Sequence, residues 1–369
     1  MNLLGIDFED WYHPELVEPF ISEKNKKPII SVDAMGGDLG PSEVVLGIAK
    51  SASMNPEAKF IIHGDSSALS KLIEKKSIQD KCRIVDAKDI VSMDQKPRYI
   101  IRHGKNTSMW SAIQSVRVGE ANVCVSCGNT GALMALSMLR LRKSPGVNRP
   151  AIACLWPSRN ELGFNIVLDV GADIKADEQD LLQFALMGLN YARRGLKISR
   201  PRIGLLNVGT EEHKGRAELK LAHDLISIAS KKENFEFVGF IEGGDIPSNL
   251  IDVVVTDGFT GNIAIKTAEG TSRLISEKLK VAFNSNLFSR VGALISAPSL
   301  IKMRKQIDPS RVNGGVFLGL NGIVVKSHGS ADKTGIASAL NLGITLNNAD
   351  LYDRSSNEII LEQEEVKIK

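Results

Sequence analysis

Ala121-Asn-Val-Cys-Val-Ser-Cys-Gly-Asn-Thr-Gly-Ala-Leu-Met-Ala-Leu-Ser137 holds a strand, a tight loop and the start of a helix. Ala121–Ser126 is a short, near-continuous apolar run, the pattern of a parallel strand buried on both faces. Gly128 to Gly131 break it, and the spacing from Thr130 to Lys143 is helical. The same order recurs along the chain. Pro28–Asp33, Lys59–His63, Arg83–Asp86, Ala151–Leu155, Phe164–Asp169, Arg202–Asn207, Phe235–Phe240, Ile251–Asp257 and Ile323–His328 also read as strands. Helices are expected at Pro41–Ser53, Asp177–Arg194, Gly215–Ser230, Thr260–Phe283 and Ser330–Leu346. Pro41 suits a first helical position, where its missing N–H costs nothing, and Asp177 is a candidate cap. Strand–helix alternation on this scale predicts an α/β fold: a large, mainly parallel sheet with helices on both faces.

The 369 residues are 43% hydrophobic and 24% charged, an ordinary globular balance that excludes a disordered chain, a collagen and a coiled-coil rod. No apolar run reaches the roughly 18–20 residues of a membrane-spanning helix. With 46 basic and 43 acidic residues the net charge is +3, too balanced for a dedicated nucleic-acid binder. Four cysteines in a chain this long make no disulfide framework. Residues 1–27 stand apart: aromatic, acidic and closed by a polar linker. Their Asp7-Phe-Glu-Asp-Trp-Tyr-His13 stretch resembles the opening strand of polysaccharide deacetylases, but so short a piece cannot build that barrel. It is read as an appended leader, without the cationic apolar character of a signal peptide. The expected organisation is a leader (1–27), one catalytic unit (28–347) and a charged tail (348–369), in a reducing cytoplasm.

Six expected strands end in a small or polar residue beside glycine. They run into Asp33-Ala-Met-Gly-Gly-Asp38, Ser126-Cys-Gly-Asn-Thr-Gly131, Asp169-Val-Gly-Ala-Asp173, Asn207-Val-Gly-Thr-Glu-Glu-His-Lys-Gly215, Thr256-Asp-Gly-Phe-Thr-Gly-Asn262 and Lys326-Ser-His-Gly329. Open α/β sheets bind ligands at the carboxyl ends of strands, where glycine lets backbone approach and a following helix offers N–H groups to an anion. One shared crevice is therefore expected. No dinucleotide fingerprint, phosphate loop or nucleophile elbow is present. Cys124 and Cys127 have redox spacing but sit in an apolar run and read as buried thiols.

These loops, with Arg149-Pro-Ala151, resemble in order the bacterial phosphate acyltransferases of phospholipid synthesis (the PlsX family) from about Ile29 to Asn347. Cys127, Asp173 and Thr210 depart from the usual family residues, and none of the three removes an obvious catalytic group. The resemblance implies transfer of a long-chain acyl group from acyl carrier protein to inorganic phosphate, giving an acyl phosphate. A membrane glycerol-3-phosphate acyltransferase would use that product. It also implies a fold similar to phosphotransacetylases and isocitrate-type dehydrogenases, a homodimer, no metal and no cofactor. The competing readings are acetyl transfer from coenzyme A, a nicotinamide-dependent decarboxylating dehydrogenase on the same scaffold, or a non-enzymatic membrane-docking protein.

That reaction asks for a phosphate seat and oxyanion donors, with little base strength, because phosphate is already nucleophilic and a thiol leaves readily. The catalytic candidates are Asn129, Asn262, Lys266 and His328. Asn129 and Asn262 are either oxyanion donors or ties for their own turns. Lys266 follows Asn262 by one helical turn, and His328 titrates nearest neutrality. Substrate contacts are expected from Asp33, Gly36, Gly37, Gly128, Thr130, Gly131, Asp169, Asn207, Asp257, Thr260, Gly261 and Lys326. The aspartates would orient donors or hold the pantetheine arm, since as anions they repel phosphate. Lys96, Arg102 and Lys105 form a basic cluster that meets phosphate, carrier protein or only solvent. Residues 281–305 read as a projecting apolar hairpin with a basic edge. Its Leu287, Leu294, Ile295, Lys302, Arg304 and Lys305 are expected to contact a membrane or the carrier protein. A dimer interface and ordinary core are the alternatives.

Overall fold

The computed structural model describes residues 27–211, 213–307 and 314–349, the side chains of 302–307 excepted. The leader, apart from Lys27, and the tail beyond Ala349 lie outside the described residues.

The strands are β1 (Ile29–Asp33), β2 (Lys59–Gly64), β3 (Cys82–Asp86), β4 (Val123–Ser126), β5 (Ala151–Pro157), β6 (Phe164–Leu168), β7 (Arg202–Leu206), β8 (Glu236–Ile241), β9 (Val253–Val255), β10 (Gly315–Leu318) and β11 (Ile323–Lys326). The helices are α1 (Pro41–Met54), α2 (Ser66–Glu74), α3 (Pro97–His103), α4 (Ser108–Arg117), α5 (Thr130–Arg140), α6 (Glu178–Asn190), α7 (Ala217–Lys232), α8 (Gly258–Asn284), α9 (Leu287–Ile307) and α10 (Lys333–Asn348). Local chemistry sets several starts. Pro41 occupies the first turn of α1. Asp177 caps α6 and forms a capping box with Asp180. Asn129, Asp257 and Asp332 cap α5, α8 and α10.

All eleven strands join one sheet in the order β3-β2-β1-β4-β11-β10-β5-β6-β9-β7-β8. Both outer blocks are wholly parallel, as expected. The centre is not. The pairs β11–β10, β10–β5 and β5–β6 are antiparallel. Two of these follow from short connections, Ser158–Gly163 between β5 and β6 and Gly319–Gly322 between β10 and β11, while β10–β5 joins strands far apart in the sequence. A few residues can return a chain only antiparallel, whereas a parallel neighbour needs a long crossover. Gly163 and Gly319 take left-handed backbone in these turns (φ 79° and 82°). Sequence reading passed over β10, α2, α3 and α4.

Side-chain alternation distributes the core over both faces. Val32, Val125, Val325, Leu168, Val255 and Leu205 lie under α1, α6, α7 and α10 on one face. On the other, Ile61, Cys124, Val324 and Phe317 pack against α4 and α5, and Val167, Val254 and Cys154 meet Ala264 of α8. Contact is closest at Gly188 of α6, where an added Cβ would stand 2.5 Å from Val253 Cγ1 and 3.0 Å from Leu168 Cδ2.

Removing glycine from a helix interior normally returns about 1 kcal/mol, but overpacking against fixed central strands costs roughly 1–3 kcal/mol. Gly188→Val, which gains least in helix propensity, should therefore lower stability by about 1–3 kcal/mol in a urea titration. An unchanged midpoint would mean that the α6–sheet contact can give.

Candidate active site

Three consecutive antiparallel pairings turn the β6–β9–β7–β8 block upside down relative to the β3–β2–β1–β4–β11 block. The expected single ring of strand tips is therefore two groups. The loops after β1, β4 and β11 gather at one end of the sheet, and those after β6, β7 and β9 at the other. This corrects the expectation of one convergent rim. The link between the groups is α8. It starts at the β9 tip, and its Lys266 Nζ reaches His328 Nε2, beyond β11, at 3.3 Å.

In the first group, buried Asp33 accepts hydrogen bonds from Ser108 Oγ (2.6 Å), Ser126 Oγ (2.7 Å) and the Met35 N–H (3.3 Å). Burial pushes its carboxyl upward, and these donors with nearby Lys326 oppose the shift. Gly36 lies so near Gly128 that a Cβ would stand 2.9 Å from the Gly128 Cα, so the two glycine loops interlock. The N–H groups of Thr130 and Gly131, in the first turn of α5, have no hydrogen-bond partner among the described residues, and both residues are exposed. They are an open seat for an anion. Lys326 is close by, its Nζ donating to the carbonyls of Cys127 (3.3 Å) and Ser327. Burial lowers its pKa to about 8, against the pull of Asp38 and Asp33.

His328 Nε2 stands 3.3 Å from Lys266 Nζ, and its Nδ1 meets Ser330 through the hydroxyl (2.9 Å) and the backbone N–H, which donates to it (3.4 Å). Burial and the Lys266 charge hold its pKa below the ordinary imidazole value, so the ring is neutral near pH 7. Lys266 also pairs with Glu269 at 2.8 Å. Asn129 does not offer a donor to substrate. Its Oδ1 caps Ala132 N–H (3.0 Å), and its amide donates to the carbonyls of Met93 (2.8 Å) and Gln95 (3.2 Å). With both amide hydrogens engaged, the oxyanion-donor expectation for Asn129 is corrected to one of loop positioning.

In the second group, Asp169 folds its own loop, accepting from the N–H groups of Gly171 (3.1 Å), Ala172 (3.0 Å) and Asp173 (2.7 Å) and from Ile152 (2.9 Å). Burial still pushes its carboxyl upward. Gly261 fits against it because a Cβ would overlap the Asp169 carbonyl oxygen. Asp257 caps Thr260 N–H (2.8 Å) and pairs with Arg216. Desolvation raises its carboxyl, but these donors outweigh that and hold it low. Asn207 donates to the Lys214 carbonyl (3.3 Å), while its Oδ1 is buried without a partner. Asn262 is exposed, and its amide has no hydrogen-bond partner among the described residues, one turn before Lys266. Its Cβ and Cγ lie 3.9 Å from where a Cβ on Gly171 would stand.

Sequence reasoning missed several supports. Arg149 pairs with Asp173 (2.6 Å) and Asp180 (3.5 Å). Arg216, Ser108, Glu269 and Asp38 were also not singled out. Arg149 and Asp38 stood in quoted motifs, so a signal existed; the others are visible only once the loops are in space. Among the described residues, no group of three or more His, Cys, Asp or Glu side chains is placed to hold a metal ion. Leu287, Leu294 and Ile295 are not at this site but out on the hairpin. The side chains of Lys302, Arg304 and Lys305 lie outside the described residues.

The family model described as "Fatty acid synthesis protein" matches residues 29–354. The chain belongs to this family. It is 63% identical over 332 residues to the phosphate acyltransferase of Jannaschia sp. (strain CCS1), covering 90% of this chain and 91% of that one. It is also 63% identical over 327 residues to that of Cereibacter sphaeroides (strain ATCC 17025 / ATH 2.4.3), covering 88% and 89%. In fold it is similar to a phosphotransacetylase from Streptococcus pyogenes (TM-score 0.60, 17% identity, 91% of this chain and 99% of that one). EutD phosphotransacetylase from Staphylococcus aureus is comparable (TM-score 0.58, 15% identity, 91% and 97%).

The anion seat beside Lys326 has a pH signature. A lysine that loses its proton near pH 8 weakens anion binding above that pH. The rate should fall on the alkaline side with an apparent pKa of about 8. Lys326→Arg should move that limb out of range, because guanidinium stays charged. The same limb in both proteins would take Lys326 out of the phosphate seat.

Proposed function

We propose that this enzyme moves a long-chain acyl group from the thioester of an acyl carrier protein to inorganic phosphate. Family membership and the 63% identical phosphate acyltransferases support acyl transfer to phosphate. The observation that carries the reading to particular residues is the open N-terminus of α5. Two unpartnered N–H groups stand there beside Lys326, with Lys266 and neutral His328 nearby and every buried carboxylate already held by its own donors.

The chemistry follows from those groups. The Thr130 and Gly131 N–H groups, the Thr130 hydroxyl and Lys326 hold phosphate and aim one oxygen at the thioester carbonyl carbon. A C–O bond forms as the carbonyl electrons move onto oxygen. The free amide of Asn262 and the Lys266 ammonium are the donors available to that oxyanion. Collapse breaks the C–S bond, and the thiolate leaves with the electron pair and takes a proton from the medium or a neighbouring acid. The products are an acyl phosphate and a free carrier thiol. Positioning and charge stabilisation do most of this, since phosphate needs no strong base.

The hairpin of α8 and α9 supports attachment to a membrane surface. Phe288 is 89% exposed and Ile295 77%, with Leu287, Val291 and Leu294 also exposed. None is in the core of this chain, which removes ordinary core packing from the alternatives. No helix among the described residues is long and apolar enough to cross a membrane. An exposed apolar hairpin is instead suited to lie in the interface or to meet a second copy of the chain in a dimer. We favour the membrane. The acyl phosphate would then pass to a membrane-bound acyltransferase.

Palmitoyl-carrier protein and phosphate should yield an acyl phosphate that hydroxylamine traps as a hydroxamate. Asn262→Ala and Lys266→Ala should each lower kcat by about 10²-fold, the usual loss for one oxyanion contact. Wild-type protein that is folded and gives no hydroxamate would defeat the proposal. Replacing Leu294 and Ile295 with Asp should abolish co-sedimentation with anionic liposomes while leaving trapping in solution intact. Persistent co-sedimentation would assign the hairpin to another surface.

A further inference from the structure

The short helix α3 is the least explained element on the rim of the site. Its leading loop is fastened to the site, because the Met93 and Gln95 carbonyls hold the Asn129 amide. Pro97 packs on Gly131, where a Cβ would stand 3.0 Å from its ring, and Met93 reaches Gly329. Ile100 is the buried pin that seats α3 against α5, in a cluster with Leu133 and Leu136. Almost everything else on α3 faces outward.

That outward surface has a definite chemistry. Residues 96–105 contain Lys96, Arg98, Arg102 and Lys105 and not one acidic residue. All four cations are exposed, and none makes an ion pair among the described residues. In a chain with 46 bases and 43 acids, this run concentrates one sign of charge at one place. Between the cations stand exposed apolar groups. Tyr99 is 53% exposed and fixed by stacking on His103 at 4.3 Å. Ile101 is exposed too, and so are Met138 and Leu139 on the neighbouring α5. A face made only for solvent has no use for an ordered aromatic and three aliphatic side chains among its charges. Fixed aromatic anchors with flanking cations are the pattern of a protein-binding surface. The charge selects an acidic partner and speeds its approach.

Resting on the acyl-transfer reading above, we propose that α3 and the adjoining turns of α5 form the docking surface for an acidic acyl carrier protein. The carrier's acidic face meets Lys96, Arg98, Arg102 and Lys105, and an apolar ridge on it covers Tyr99 and Ile101. Its thioester arm then enters past Asn129 toward the open N-terminus of α5. The positioning role of Asn129 acquires a purpose: it ties the docking helix to the phosphate seat, so that a carrier bound outside is in register with phosphate inside.

The test compares two thioesters of the same acyl chain, one on the carrier protein and one on free pantetheine, in wild type and in the double variant Arg98→Glu/Arg102→Glu. Binding of the unacylated carrier and of phosphatidylglycerol vesicles is measured beside them. The variant should raise KM for the acyl carrier protein about tenfold or more, as inverted steering charges do. Its kcat at saturation and its rate with acyl-pantetheine should stay within about twofold of wild type. Salt should weaken wild-type use of the carrier and affect the variant little. Equal loss with both thioesters would assign α3 to the reacting groups, and no loss with either would make it a solvated face. Loss of vesicle binding with carrier KM unchanged would give the surface to lipid. Each of these overturns the proposal. If wild type made no acyl phosphate from either thioester but bound the carrier, and the variant did not, the docking surface would stand and the reaction would fall.

Discussion

Lys266 and His328 meet across a reversal of the sheet, and that contact makes one site out of two. Without the antiparallel centre the six glycine-bearing tips would share an end of the sheet, as in a simple doubly wound fold. With it, half of them point the wrong way. The first turns of α8 run back across the face between the two groups. They carry Asn262 past the 169–173 loop and Lys266 to the β11 tip. The spacing is fixed by helix geometry, since residues four apart stand about 5–6 Å apart on one side of a helix. Gly258 and Gly261 let that helix begin hard against Asp169 and Asp173. A bulkier residue at either position would lift the whole rod from its seat.

The electrostatic design follows from which groups are already engaged. Asp33, Asp169 and Asp257 are all buried, and all accept several hydrogen bonds from serines, backbone N–H groups or Arg216. Their charge is absorbed locally, where it orders loops. What faces the cleft is the remainder: open N–H groups, Lys326, Lys266, the Asn262 amide and a neutral imidazole. A dianion entering such a place meets few competing acceptors, the exceptions being Glu269, paired with Lys266, and the exposed carboxylate of Asp38, which attracts Lys326 and His328. Burial of Lys326 is a cost that the Cys127 and Ser327 carbonyls and the pull of Asp38 and Asp33 offset only in part, and a bound anion would offset it further.

The fold was largely legible because its signals are local. Ten strands could be read from short apolar runs, and glycine-bearing loops marked where ligands go. β10 was not legible: Val316-Phe-Leu318 is three apolar residues between glycines, and only pairing with β5 and β11 makes it a strand. The direction of the central strands was hidden for the same reason, because two short turns and the long-range β10–β5 pairing set it and no periodicity records them. Residue types named Asn129 correctly as part of the site but not its task, since an amide beside a glycine loop looks alike whether it holds substrate or the Met93 and Gln95 carbonyls. Arg216 was invisible because its partner Asp257 is 41 residues away, and Glu269 because its pairing with Lys266 gains a meaning only once Lys266 meets His328.

Length is the last property of α8 that matters. Its 27 residues make a rod about 40 Å long. Only the first three turns touch the site; from Arg273 onward the side chains of α8 are exposed apart from half-buried Phe283, and the rod leads into the apolar hairpin. Nothing in the chemistry of phosphate and a thioester asks for that extension. A long-chain acyl phosphate does, because the product is an amphiphile that water accepts poorly and must be delivered without release into bulk solvent. A rigid helix that starts beside the candidate site and leads into the α9 arm bearing Phe288 and Ile295 would keep that site at a set height above whatever apolar surface those residues enter.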